Sequence, residues 1–535
     1  MMTAARAVVR AFEAEGVGVL FGYPGAAIDP VYRELARSPI RHILVRREDA
    51  AGHAASGFSR VSGKPAVCLA TSGPGALNLI PALAAAYSDS IPIVAVTGQV
   101  PTYDVGSDAF QEADITGAAE PFVKYGFLVK NAAELPRIIK EAFYIAASGR
   151  PGPVLIDIPN DVLGETIDFS YPEKAELRSY KPTVFGNELQ IKKAAEMINT
   201  AENPLIMAGG GVFCGGAQDE LRAFAKKSGI PVVVTMQGLG AFFGENFLGM
   251  TGRFGDSRAN AALEACDMLL LVGARVGDRT VAEPRILKKA RKIIHIDIDP
   301  AEIKKNIIPN ISVVGDCKYI LPKLTEAITP HRFEHLPCEE RLFPDKAGFI
   351  NPARLFAEIS AAAGDFIVCA DVGQSLIWAA SYFKNPGRLL TSGGMGTMGY
   401  ALPAAIGAKL AASDKTVFAV CGDGAFMMSL AELATIKEQN LGIKIIVMTN
   451  GTLGMVREYQ KSGGAVPFAV DMPGNPDIIK LAESFGINAL RIRENSEIET
   501  AVMAMLEADG AFILECAVSP DERSKAAEVC DETAD

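Results

Sequence analysis

A chain of 535 residues is too long for one hydrophobic core, and at roughly 100–200 residues per domain it implies about three or four units. Its 49% apolar and 21% charged content is that of an ordinary globular protein, and no run approaches the roughly 18 uninterrupted apolar residues of a membrane span. The net charge of -11 argues against nucleic acid or an anionic membrane as partner, since both select basic surfaces.

Apolar spacing predicts a first helix over Ala4–Gly16, ended by Gly16, and the opening lacks the apolar block of a signal peptide. Strands are expected at Val17–Phe21, Ile43–Arg46, Ala66–Ala70, Ile93–Thr97 and Val154–Ile158, alternating with helices as a parallel sheet requires. Tyr171–Pro182 reads as a linker. A second block, 188–330, opens with a helix followed by PLIMAGGGV, a strand running into Gly209-Gly210-Gly211, and PVVVT, MLLLVGAR and KIIHIDID read as further buried strands. A second linker, Pro330–Asn351, precedes a third alternating block, 352–535, with strands in FIVCADVG, Val417–Cys421, Lys444–Met448 and AFILECAV and an acidic DETAD tail read as disordered. The expected architecture is three consecutive parallel-sheet α/β domains, the first spanning 1–165. The nine cysteines (68, 214, 266, 317, 338, 369, 421, 516 and 530) include no C-x-x-C pair and sit largely in apolar runs, which suits free thiols and a cytoplasmic location.

The third block carries the most informative constellation. One strand ends at Gly422-Asp423-Gly424, and after 24 residues the next ends at Thr449-Asn450, so two neighbouring parallel strands deliver an acid and an amide to one sheet edge. Ligands of open α/β sheets bind at that edge. The glycines let backbone approach phosphate, and hard oxygen donors suit Mg²⁺ shared with phosphate oxygens. Taken alone, Gly-Asp-Gly is also a common strand-end turn. Near the front, Arg46-Arg47-Glu48-Asp49 passes from a strand into a helix, where Glu48 is either a solvated partner of the arginines or a functional carboxyl.

Together these features resemble the GDG–x(24–27)–NN signature of thiamine diphosphate enzymes. The likeness to the acetolactate synthase large catalytic subunit runs from about residue 4 to 520, through FGYPGAAIDPVY, TSGPGALNLIPALAAAYSDS, DAFQEADI, LLVGARVGDR, HIDIDPAEIKKN and TSGGMGTMGYALPAAIG. The resemblance implies a pyrimidine-binding domain (1–165), a central FAD-binding-like domain (188–330) and a diphosphate- and Mg-binding domain (352–535). It assigns Glu48 to the cofactor's aminopyrimidine, with Asp423, Asn450 and the carbonyl of Thr452 as Mg²⁺ ligands. Met398 falls under the bent cofactor, and Gly25, Gln374, Ser375, Gly396, Gly424 and Ala425 fall on cofactor contacts. Phe110 and Gln111 would border the reacting carbon, and Arg279 would hold the carboxylate of a second keto acid, as its fixed fork allows. Arg150, Gly209, Gly210, Gly211, Gly273, Arg275 and Asp297 align with FAD contacts, FAD being redox-silent in these synthases.

The implied reaction decarboxylates pyruvate and passes the hydroxyethyl unit to a second 2-keto acid, giving acetolactate or a related acetohydroxy acid on the way to branched-chain amino acids. A homodimer or homotetramer is implied, with a small regulatory subunit as a further open partner. Departures from the family include Thr449 for Asn, Ser375 for His, Phe254 for His, Gly277 for Asp, Asn160 for Lys, Tyr459 for Trp and Ala26 for Gly. They leave open a carboligase with another acceptor, such as a sulfoacetaldehyde acetyltransferase, a decarboxylase, and a flavin-dependent pyruvate oxidase.

Overall fold

The structure is a computed structural model that describes residues 1–281, 287, 291–331 and 343–525. Cys338, Cys530, His335, Pro337 and the DETAD tail, all singled out in the sequence, lie outside the described residues, as does much of the 330–351 linker. Three six-stranded parallel sheets follow one another along the chain. The first contains β1 (Val19–Gly22), β2 (Arg41–Leu44), β3 (Ala66–Ala70), β4 (Ile93–Gln99), β5 (Tyr125–Leu128) and β6 (Val154–Pro159). The second contains β7 (Pro204–Ala208), β8 (Val232–Val234), β9 (Phe247–Met250), β10 (Met268–Val272), β11 (Lys292–Asp297) and β12 (Ile311–Val314). The third contains β13 (Phe366–Ala370), β14 (Arg388–Leu390), β15 (Thr416–Gly422), β16 (Ile443–Thr449), β17 (Asn488–Ile492) and β18 (Phe512–Ala517). Interior strands such as AVCLA and IVAVTGQ are buried at every residue, as expected of sheets covered by helices on both faces.

The first sheet runs β2-β1-β3-β4-β6-β5 and the third β14-β13-β15-β16-β18-β17, one topology used twice. The middle sheet runs β9-β8-β7-β10-β11-β12, the 3-2-1-4-5-6 order of dinucleotide-binding sheets. The strand order reverses once in the middle sheet and, in the other two, once beside the first strand and again at the far edge; the crevice beyond the carboxyl ends beside the first strand of each sheet is where such folds bind ligands. These crevices lie between β1 and β3, between β7 and β10, and between β13 and β15.

The sequence reading misses β5, β9, β12, β14 and β17, all of them sheet edges. An edge strand is short and half-exposed, so it lacks a continuous apolar run; Asn488–Ile492 is buried only at its last residue. The strand expected at Ile43–Arg46 lies two residues earlier, because the Arg46 amide turns away to donate to Glu432 Oε1 at 2.7 Å. The Tyr171–Pro182 linker is strapped to the first unit: Tyr171 donates to Glu15 at 2.7 Å, and Lys124 donates to the Tyr180 hydroxyl at 2.8 Å. All seven described cysteines are free, and all but Cys214 are buried.

The first and third units meet through helices Glu48–Ser62 and Ala401–Ala411. Gly57 lies on the Ala404 carbonyl and Gly407 on the Ala54 carbonyl, so closely that a Cβ on either would overlap the opposing backbone. Ser56 and Tyr400 share a hydrogen bond of 3.0 Å. The pairs 54/407, 57/404 and 60/400 (Arg60 donates to the Tyr400 hydroxyl at 3.4 Å) run in opposite senses, so the helices are antiparallel. Gly407→Val, which drives two methyls into backbone with no room to yield, is expected to cost about 3 kcal/mol or prevent folding. A thermal melt of the variant beside Ala411→Val, at the helix end, measures the difference.

Candidate active site

Beyond the carboxyl edge of the first sheet, the loops after β1, β2 and β3 converge. Glu48 opens its helix, and its Oε2 accepts from Asn78 Nδ2 at 3.0 Å. Its Oε1 lies beside Gly75, where a Cβ would stand 3.3 Å away. Thr71 receives the Ala27 amide at 3.3 Å and packs against Gly25, which joins the loop after β1 to the loop after β3. Gln111 sits at φ 61° with its backbone against Gly73, and the neighbouring Phe110 is 88% exposed. Tyr23 and Leu77 are also exposed, so this edge presents apolar side chains around one carboxylate.

Beneath the loop of Gln111, Asp157 at the end of β6 accepts from Thr97 Oγ1 at 2.6 Å and Gln99 Nε2 at 3.0 Å. Burial without a cationic partner pushes its carboxyl up to about 7.

The third sheet's switch point gathers the other half of the expected set. Asp423 Oδ2 accepts from the Gly451 amide at 2.8 Å and from Asn475 Nδ2 at 3.1 Å, while Oδ1 accepts from the Gly424 amide at 3.0 Å. Asn450 Nδ2 donates to Gln374 Oε1 at 3.2 Å, and Asn450 Oδ1 accepts the Thr452 amide at 3.1 Å. Ser375 is tied to the Asp371 carbonyl at 3.2 Å. Gln374 is also clasped from outside, donating to the Glu522 carbonyl at 2.7 Å and to Glu458 at 3.1 Å. Along the same helix Trp378 Nε1 donates to the Arg523 carbonyl at 2.9 Å, and Glu458 accepts from the Ser524 amide and hydroxyl at 3.0 Å. Gly373 and Gly396 have positive φ and open space where a Cβ would stand, Met398 is half-buried, and Ala425 is buried.

The donor set at Asp423 fits a hard divalent cation: a carboxylate, an amide oxygen and a nearby backbone carbonyl. Among the described residues no three His, Cys, Asp or Glu side chains gather as a metal cage, so an ion here needs further oxygens, as from a diphosphate. The buried Thr449 hydroxyl, adjacent to Asn450, has no hydrogen-bond partner among the described residues, and open glycine backbone faces the same crevice. The residues present fit a magnesium diphosphate.

Within one chain, however, the Glu48 edge and the Asp423 edge point apart. Tyr400 and Asp371, joined through the Gly399 and Ala401 amides at 3.1 and 3.0 Å, mark the Asp423 end of the antiparallel helix pair. Glu48 lies eight residues before Ser56, Tyr400's partner, or roughly 12 Å further along its helix at 1.5 Å per residue.

The middle switch point opens into a cavity of about 950 Å³ shared by all three units. Arg150, Gly210, Gly211, Gly273, Arg275, Asp297, Gly396 and Arg279 line it. Gly209 is absent from the lining; it packs on Gly273 and Ala274, so its missing side chain serves the backbone contact between two loops. Arg150 is engaged by Ser90 at 2.9 Å, Glu302 at 3.0 Å and Asp299 at 3.3 Å. Burial pushes the Asp297 carboxyl up to about 6. In the cavity wall Tyr459 lies beside Arg279 and holds its guanidinium pKa up, the Phe254 ring lies 6.0 Å from that guanidinium, and among the described residues its one ion pair is an exposed 3.5 Å contact to Asp278. Size, strand order and glycine backbone fit a dinucleotide such as FAD.

Sequence reasoning did not find Asn78, Asn475 or the 522–524 clasp. Asn78 stood inside a quoted motif, whereas Asn475 reaches Asp423 across 52 residues, with no local signal.

The geometry and the comparisons with known proteins agree. Residues 2–118 match the model of the N-terminal TPP binding domain of thiamine pyrophosphate enzymes, residues 191–324 their central domain, and residues 371–516 their C-terminal TPP binding domain. The chain belongs to the thiamine pyrophosphate enzymes, in the branch of the acetolactate synthase large subunits. The probable acetolactate synthase large subunit of Methanocaldococcus jannaschii is 43% identical over 97% of this chain and 93% of its own length. The large subunit of Corynebacterium glutamicum is 42% identical over 95% and 85%, and the acetolactate synthase of Arthrospira platensis 40% identical over 97% and 95%. Among the described residues no helix is long and apolar enough to cross a membrane.

Asp157 yields a pH prediction. Its carboxyl is raised on folding, so its contribution to stability is complete below about pH 4 and is lost as pH rises through about 7. Asp157→Asn is therefore expected to flatten the fall in melting temperature between pH 5 and 8, read by calorimetry at several pH values.

Proposed function

We propose that this protein is a thiamine-diphosphate- and Mg²⁺-dependent carboligase of the acetolactate synthase kind, decarboxylating pyruvate and joining its two-carbon unit to a second 2-keto acid. One observation carries the reading: Glu48 and the Asp423–Asn450 pair stand at the carboxyl edges of two sheets of identical order, and those edges face opposite ways. Two copies related by a two-fold axis would bring each Glu48 to the partner's diphosphate crevice and form two sites. Apolar side chains exposed at both edges support this pairing: Tyr23, Leu77 and Phe110 at one, Met428, Val466 and Phe468 at the other.

Bound thiamine diphosphate would supply the nucleophilic carbon and the electron sink for decarboxylation. Asp423, the Asn450 amide oxygen and the Thr452 carbonyl would hold Mg²⁺, with Gln374, Ser375, Gly396, Gly424 and Ala425 against the diphosphate. Asn78 orients the Glu48 carboxyl, which would hydrogen-bond a ring nitrogen and fix its protonation. Met398 would press on the cofactor, and Gly25 would give its ring backbone clearance. Phe110 and Gln111 would close the pocket to water, so that carbon rather than a proton captures the two-carbon unit. Arg279 would place the acceptor by its carboxylate. FAD, held by Arg150, Gly210, Gly211, Gly273, Arg275 and Asp297, would fill the central cavity without changing redox state; Gly209 would support that cradle from behind.

Purified protein given thiamine diphosphate, Mg²⁺, FAD and pyruvate is expected to yield acetolactate. Acetaldehyde would indicate a decarboxylase, and acetyl phosphate or flavin bleaching a pyruvate oxidase. Glu48→Gln is expected to lower turnover by about 10²-fold or more at unchanged melting temperature. Glu48→Gln and Asp423→Ala homodimers, each nearly inactive, should regain activity when unfolded, mixed and refolded together, since a mixed dimer carries one intact site. No recovery would exclude a site shared between copies.

A further inference from the structure

Resting on that carboligase reading, we propose that Arg253 is a second acceptor-binding cation, and that the site is built for a 2-oxo acid carrying a second carboxylate. Arg253 lies in the loop after β9, with its guanidinium carbon 5.9 Å from the centroid of the Tyr459 ring. Arg279 lies beside the same tyrosine, which holds its guanidinium pKa up, and both line the central cavity. One tyrosine is thus close to two guanidinium groups, and the cavity is lined by that tyrosine, by Arg279, and by Thr251 and Phe254 from the loop that carries Arg253.

The arrangement is fixed by backbone. Gly252 has φ 108° and lies directly on the Arg279 carbonyl, where any side chain would overlap it. Asn260 grips both polar groups of Gly252, accepting from its amide and donating to its carbonyl, each at 3.0 Å. Phe254 then packs beneath the Arg279 guanidinium. Among the described residues no ion pair or hydrogen bond neutralises Arg253, and Asp278 is the sole acidic contact of Arg279, 3.5 Å away and 84% exposed. Two cations around one tyrosine with little compensating charge favour an anionic ligand. With Arg279 on the 2-oxo carboxylate, Arg253 meets a carboxylate at the far end of the acceptor, with Tyr459 against the methylenes between. A monocarboxylic acceptor leaves Arg253 unused.

The reaction balances without an added reagent. With the five-carbon dicarboxylate as probe, pyruvate and 2-oxoglutarate take up one proton and give CO₂ and a seven-carbon acetohydroxy dicarboxylate. The carbon–carbon bond broken at decarboxylation is replaced by one to the acceptor's keto carbon, whose oxygen takes the proton.

The test is a competition. The holoenzyme receives pyruvate with equal concentrations of 2-oxoglutarate and 2-oxobutyrate, and mass spectrometry gives the ratio of the two cross-products within each variant, so a general loss of activity cancels. The wild type should form the dicarboxylate product in preference; Arg253→Met should lower the ratio about tenfold, as expected for loss of one charge-assisted bond, and Arg253→Lys should retain part of it. An unchanged ratio in Arg253→Met, or acetolactate formation without any dicarboxylate product in the wild type, overturns the proposal while leaving the carboligase reading intact. Absence of both CO₂ and acetolactate from pyruvate alone overturns the carboligase reading itself.

Discussion

The antiparallel contact between Glu48–Ser62 and Ala401–Ala411 is the constraint on which the rest of the structure depends. Glycine at 57 and 407 lets the two backbones touch, so the helices cannot rotate or slide without opening a gap or creating a clash. Because each helix is anchored to its own sheet, their opposed directions turn the two carboxyl edges away from each other. A carboxylate and a cation site that one chain keeps roughly a helix length apart can act on one cofactor only across a boundary between copies. Under the proposed carboligase function, close packing inside the protomer would thereby require that two copies meet.

The central unit follows a different logic. Its strand order creates one crevice, and glycine serves two ends there. Gly210, Gly211 and Gly273 face the cavity, and Gly209 and Gly211 also let the loops after β7 and β10 pack backbone on backbone. The cavity draws its walls from all three units, so Gly396, on the loop that leads to Met398, borders the same space as Gly210 and Asp297. The third unit's crevice and the dinucleotide-shaped cavity are neighbours rather than separate pockets.

Interior strands are legible in the sequence because burial on both faces demands unbroken apolar runs: AVCLA is placed to the residue, and MLLLVGAR and FIVCADVG contain strands that stop three residues earlier, at Val272 and Ala370. Edge strands were not, since Asn488–Ile492 or Arg388–Leu390 satisfy one neighbour and otherwise follow solvent. The Asp423–Asn450 pair was legible because parallel topology fixes where consecutive strands end. Glu48 was marked by its place at a strand-to-helix junction, and by resemblance. Asn475 on Asp423, Asn260 on Gly252 and Arg253 beside Tyr459 were not, since each contact depends on loops whose course no local spacing encodes. The exposure of Phe110 also had no signal in a single sequence; it becomes intelligible once a second copy is considered.

Trp378 is the chain's sole tryptophan, and it stands on the helix that begins with Gln374, with its indole nitrogen bonded to the Arg523 carbonyl. It is 1% exposed. Nearly all indole emission therefore originates one helical turn from the diphosphate crevice, beside the segment that clasps it. The single fluorophore thus stands where loosening of that clasp would alter the colour and intensity of the light emitted, which gives the protein an internal optical gauge.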